Sequence, residues 1–119
     1  MRVSCGPDPE LKKALLAVPT GRMDANGATV VVEDLLGRLT ARTPSLLIDM
    51  SQVDYVSSAG ISALIKFLTR ARELGGTVGL FGCREAIRTV MKVVAIESVL
   101  NVFDTAEEVR ARILQLGLG

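Results

Sequence analysis

The chain has 119 residues, enough for one domain with a single core. Hydrophobic residues at 49% and charged residues at 23% fit a folded globular protein and exclude a disordered one. A formal net charge of +1, with its charges interleaved along the chain, excludes the strong basic field that holds nucleic acid directly.

Residues Met1 to Cys5 read as a short strand that ends in the turn signal Gly6-Pro7-Asp8-Pro9. Residues Ala14 to Val18 read as a second strand that stops at Pro19, which has no N–H for a ladder. Together they predict an N-terminal hairpin. The start of the chain has no apolar leader, and no apolar run is long enough to cross a bilayer. The expected location is therefore the cytoplasm, with no membrane insertion.

Asp24 reads as an N-cap, since its carboxylate can accept from the free N–H groups of a helix start. The stretch Ala25 to Arg42 then carries Ala28, Val31, Val32, Leu35, Leu36 and Leu39 on one helical face, and Pro44 marks the stop. Residues Ser45 to Met50 form a short apolar run, read as a buried strand. A loop over 51–56 leads into a helix that runs from Ser57-Ser58-Ala59-Gly60 to Leu74, with Ile61, Leu64, Ile65, Leu68 and Ala71 on one face. Gly75-Gly76 ends that helix.

Residues Thr77 to Phe81 are the next buried strand, and Gly82 turns the chain. Arg84 to Ile96 is helical by pattern, with Ile87, Val90, Met91 and Val94 inward. Val99 to Phe103 is a last short strand. Asp104 or Thr105 caps the final helix, where Thr105 and Glu108 have capping-box spacing and Val109, Ile113, Leu114 and Leu116 supply the apolar face. The alternation of strand and helix from Ser45 onward predicts an α/β fold: a mixed, mostly parallel sheet of four to five strands with about four helices packed mainly on one side.

Several kinds of chemistry are missing. Without histidine, no Ser-His-Asp or Cys-His site can be built. Cys5 and Cys83 form no C-x-x-C pair and read as two reduced thiols, although their number alone permits a disulfide. Glycines 75, 76, 79 and 82 match neither a dinucleotide fingerprint nor a phosphate-binding loop. Asp24, Asp49 and Asp54 are carboxylates with no spacing that makes an acid–base pair. The expectation is a protein with no enzymatic activity, no cofactor and no metal.

One segment looks like a site. Residues 49–64, DMSQVDYVSSAGISAL, run from a strand end into a helix start, where parallel sheets place their functional loops. Ser58 is expected just before the helix, exposed and near the positive end of its dipole. A phosphate there would add about −1.5 to −2 charges. The plain alternatives are an N-cap for Ser58 and a polar loop residue for Ser57. Gly60 in the first turn costs roughly 1 kcal/mol relative to Ala. Close approach of another surface would explain it, and so would tight packing inside the domain.

The segment Asp49 to Ile61 resembles the signature of STAS domains, in particular the bacterial anti-sigma factor antagonists. Gly21-Arg22-Met23-Asp24 resembles that family's G-x-x-D, and Glu73 to Val78 resembles its Gly-Gly turn into the next strand. Val90 to Phe103 resembles the stretch that ends in its last strand. The match runs from about Gly21 to Arg112, while residues 1–20 match poorly. The resemblance implies a phospho-acceptor serine two places before the signature glycine, here Ser58. Sporulation-type members often carry Asp directly before that serine. This chain has Ser57 there, a neighbouring hydroxyl and the alternative acceptor.

The partners the resemblance implies are an anti-sigma factor that is also a serine kinase, of the histidine-kinase-like ATPase class, and a PP2C-type phosphatase. Unphosphorylated antagonist binds the kinase and frees the sigma factor; phosphorylated antagonist lets go. Asp24, Ser57, Ser58, Gly60, Ile61 and Leu64 are the expected docking residues. A second reading keeps the fold and drops the switch, giving a STAS scaffold subunit of another complex such as a lipid-transport ATPase. A small enzyme or nucleotide binder is disfavoured by the missing motifs.

Overall fold

The structure, a computed structural model, describes residues 1–119. Strand β1 (Arg2–Pro7) and strand β2 (Ala14–Met23) form the expected antiparallel hairpin. Strand β2 does not stop at Pro19, however, but runs ten residues to Met23. The N–H of Gly21 donates to Gln52 O, so by the two-residue alternation of a strand the nitrogen of Pro19 faces the same edge. That edge pairs with β3 (Ser45–Asp49) only up to Ala17 and with β4 (Val53–Val56) only from Gly21. Proline therefore sits in the gap between two partner strands and costs no ladder bond.

Strand β4 lies in the segment expected to be a loop and raises the sheet to six strands. The main order is β1-β2-β3-β5-β6, where β5 is Val78–Phe81 and β6 is Val102–Phe103, and β4 pairs with the far end of β2. Every pairing except β1 with β2 is parallel. The last strand is shorter than the expected 99–103.

Helix α1 (Ala25–Leu35) is also shorter than its apolar pattern, which extends to Leu39. It tightens into a 3-10 turn over Leu36–Arg38, and Leu39 then turns extended and buries itself. Helix α2 (Ser58–Glu73) ends as expected at Gly75, in the left-handed region at φ 89°, with Gly76 N–H closing onto Ala71 O at 2.7 Å. Helix α3 (Glu85–Val93) stops before the expected Ile96, at Ala95 with φ 57°. Helix α4 (Ala106–Gln115) is capped by Thr105, with the full capping box to Glu108.

The sheet separates two apolar layers by strict alternation. Leu46 and Ile48 of β3 join α1, α2 and α3 on one face, together with Leu64, Phe67 and Met91. Leu47 faces the other way, against Val109 and Ile113 of α4. Three helices thus lie on one face and one on the other. Each large aliphatic residue buried this way contributes roughly 1.5–3 kcal/mol. Not every apolar residue of the pattern finds cover: Val90 and Val94, expected inward, are 41% and 47% exposed, and Leu114 of α4 and Leu116 just past its end also face solvent. Asp8, fully buried, binds the guanidinium of Arg110 through both carboxylate oxygens and so ties the hairpin turn to α4.

Candidate phosphorylation and docking site

The C-terminal end of β2 carries two helix starts. Asp24 is the N-cap of α1, as its residue type predicts, and its Oδ1 accepts from Gly27 N–H at 2.9 Å. The carbonyl of Met23 reaches across to the second helix, accepting from the backbone N–H of Ser57 at 3.0 Å and from its hydroxyl at 3.1 Å. Ser57 Oγ in turn accepts from Gly60 N–H. The N-cap of α2 is therefore Ser57 rather than Ser58, and the expectation that Ser57 is a plain loop residue does not hold. Both hydrogen-bonding roles of its hydroxyl are in use, one for the helix and one for the strand.

Ser58 is the first residue inside the helix rather than the residue before it. It is exposed, and its hydroxyl has no partner within the chain. The first turn of α2 holds no acidic residue. The adjacent serines thus differ fully in role: one locks the helix to the sheet, and the other faces solvent.

Gly60 owes its presence to tight packing inside the fold. A Cβ there would lie 2.7 Å from Met23 O and 2.8 Å from Val56 Cγ1. Gly27 plays the same part in α1, where a Cβ would meet Arg22 O at 2.1 Å. Glycine is what lets both helices begin so close to the backbone of β2. The sequence signal for Gly27 is the same as for Gly60, a glycine in a first helical turn.

The expected docking set needs correction. Gly60 is buried and Leu64 is fully buried, so neither offers a surface to a partner; Ile61 is partly buried against the core. The periodicity that put Leu64 on the apolar face of α2 is the same feature that turns it inward. Beside Ser58 the exposed surface is a groove between α1 and α2. Ala25, Val32, Ala59 and Ser62 line it, with Glu33 on one rim and Lys66 on the other. Small residues at helical spacing on both helices, 25 and 28 against 59 and 63, were the signal for it.

Arg22 was quoted in the sequence only as part of a motif. In the structure its guanidinium lies 4.3 Å above the ring centre of Tyr55, its partner in the β2–β4 ladder. Its Nε is 3.9 Å from Asp24 Oδ2. Of the other two carboxylates singled out in the sequence, Asp49 Oδ1 accepts from Ser51 N–H and Asp54 is exposed. Neither thiol is activated by its surroundings. Burial pushes the Cys83 thiol up to about 11, and burial also raises that of Cys5. The geometry brings together an exposed hydroxyl at Ser58 and a groove between α1 and α2.

Known proteins share this fold. A candidate anti-sigma factor antagonist from Thermotoga maritima superposes with a TM-score of 0.74 at 15% identity, over 87% of this chain and 89% of that one. The Bacillus cell fate determinant SpoIIAA, in its phosphorylated form, superposes with a TM-score of 0.64 at 11% identity, over 92% and 99%. Part of the mouse anion transporter Slc26a9 also matches, with a TM-score of 0.67 at 16% identity, over 89% of this chain and 18% of the transporter. These likenesses establish the fold. The sequence profile of the STAS domain matches residues 9–109, and the chain belongs to the STAS domain family.

Proposed function

We propose that this protein is an anti-sigma factor antagonist whose binding to a kinase-type anti-sigma factor is controlled by phosphorylation of Ser58. The observation that carries this reading is the contrast between two adjacent hydroxyls, Ser57 committed at both its donor and acceptor positions and Ser58 exposed and unengaged. The kinase transfers the γ-phosphoryl group of ATP to Ser58 Oγ, which gives up its proton, and ADP leaves. The product carries about −1.5 to −2 charges at the start of α2. The helix tolerates them, because its first turn has free N–H groups and no acid to repel them. A partner seated on the α1–α2 groove does not, since it must desolvate the phosphate at the groove's edge next to Ala59. Unmodified protein therefore binds and frees the sigma factor, and modified protein is released until a PP2C-type phosphatase resets it. The protein acts in the cytoplasm as a substrate of these two enzymes and has no catalytic site of its own.

The test is incubation with ATP and a histidine-kinase-like anti-sigma factor from the same genome, read by mass spectrometry. Phosphate on Ser58 is expected. Phosphate on Ser57 alone would move the site. Phosphate on neither would overturn the switch and favour a STAS scaffold, a second reading supported by the occurrence of this fold inside a larger transporter chain.

A further inference from the structure

Arg22 is the only cation with its charged group in contact with the β2–β4 end of the site, and it is held loosely. At 3.9 Å its contact with Asp24 Oδ2 is longer than a hydrogen bond, and the two side chains are 61% and 43% exposed. The better-placed oxygen of Asp24, Oδ1, is already committed to Gly27 N–H. No acceptor binds the terminal nitrogens of Arg22, which rest over the face of Tyr55. A guanidinium on an exposed ring, with one long contact to a shared carboxylate, gives up little when it changes partner.

The backbone brings Arg22 and Ser58 to the same end of β2. Arg22 and Ser58 lie one residue on either side of the doubly bonded pair Met23–Ser57. Because its Nε already approaches the carboxylate that caps α1, the arginine leans around the end of β2 toward the helix starts. A phosphate on Ser58 would be a stronger and more geometrically suited acceptor than Asp24. Its oxygens match the planar fork of a guanidinium, and it carries close to two charges where Asp24 carries one.

We infer that Arg22 is the ligand for the Ser58 phosphate, leaving Asp24 when the serine is modified and pairing with the phosphoryl oxygens. The inference rests on the reading of Ser58 as the acceptor. It adds a second change to the switch. Modification would place one anion on the docking surface and would also strip a neighbouring carboxylate of its counter-charge. Asp24, unpaired, then adds to the repulsion of the partner. Arg22 also holds the phosphate in place, which sets how readily a phosphatase lifts it away.

The experiment uses chain carrying phosphoserine installed at position 58 by genetic encoding, so that it does not depend on any kinase. The second ionisation of the phosphate is followed by phosphorus NMR across pH 4–9, in the parent and in Arg22→Gln. A neighbouring guanidinium favours the dianion, so the parent should ionise about half a unit lower than the variant, a factor of roughly three in proton affinity. Arg22→Lys should fall between them, keeping the charge but losing the fork. Thermal unfolding of unphosphorylated Arg22→Gln should match the parent, because the side chain is mostly exposed. Identical titration curves for parent and Arg22→Gln would overturn the inference even if a kinase modifies Ser58. Failure of every kinase to modify Ser58 would overturn the functional reading while leaving this titration interpretable.

Discussion

Helices α2 and α4 both begin at a hydroxyl cap, but they are finished in opposite ways. At α4, Thr105 Oγ1 accepts from Glu108 N–H while the Glu108 carboxylate bonds back to Thr105, and Glu107 adds a second acid to the first turn. The N-terminal charge of that helix is answered from within, and Arg110 anchors the helix through the buried carboxylate of Asp8. At α2 the cap serine is spent on the strand and on Gly60, no acid follows, and Ser58 stands in water. One helix start is answered by its own acids, and the other carries an exposed hydroxyl and no acid. The comparison teaches that an N-cap alone does not mark a regulatory site.

The comparison can be broken most severely at α4. Arg110→Met should cost about 3 kcal/mol, because Asp8 is left buried without its counter-charge; chemical denaturation reads it. The same pair shapes the acid limb of stability. Burial alone would raise the Asp8 carboxyl, but Arg110 and the N–H groups of Leu11 and Glu10 outweigh it and hold the group below its ordinary value of 3.8. A carboxylate lowered in the folded state stabilises the protein above its unfolded value and loses that contribution as pH falls through the folded one. Denaturation midpoints taken from pH 5 downward should therefore fall less steeply in Asp8→Asn than in the parent.

At α2, Gly60→Ala should cost about 2 kcal/mol. Helix propensity favours alanine by about 1 kcal/mol, but the new methyl group meets the carbonyl of Met23, which cannot step aside. Thermal melting that showed a gain would mean the close approach is easily relieved. Ser57→Ala should cost about 1 kcal/mol through loss of the cap, while Ser58→Ala should change stability by less than about 0.5 kcal/mol. Ser58→Asp should raise stability by about 0.5 kcal/mol through the dipole of α2, read by the same melts. Ala106→Asp at the equivalent position of α4 should add nothing, since Glu107 and Glu108 already occupy that field.

These contrasts also separate what could be read from the sequence from what could not. The cap at Asp24, the capping box at Thr105 and the glycine stop at Gly75 follow from chemistry within a few residues, and they stand where the sequence placed them. Strand β4 was missed because Val53–Val56 has little pattern of its own and becomes a strand only by pairing with β2, some thirty residues earlier. Val90 and Val94 were misassigned because periodicity counts apolar positions without knowing how much of a short helix the sheet can cover. At the candidate site, residue type singled out the stretch, but the division of labour between Ser57 and Ser58 depends on Met23, a partner remote in sequence. The pairing of Arg22 with Tyr55 depends on register across the β2–β4 ladder, which no local motif encodes.

The most direct test is the affinity of the kinase-type anti-sigma factor for chain carrying phosphoserine at 58, measured against unmodified chain by calorimetry with both forms shown to be folded. The account predicts that the phosphate weakens binding at least tenfold, the equivalent of about 1.4 kcal/mol, without lowering the melting temperature. Equal affinity for the two forms would contradict it.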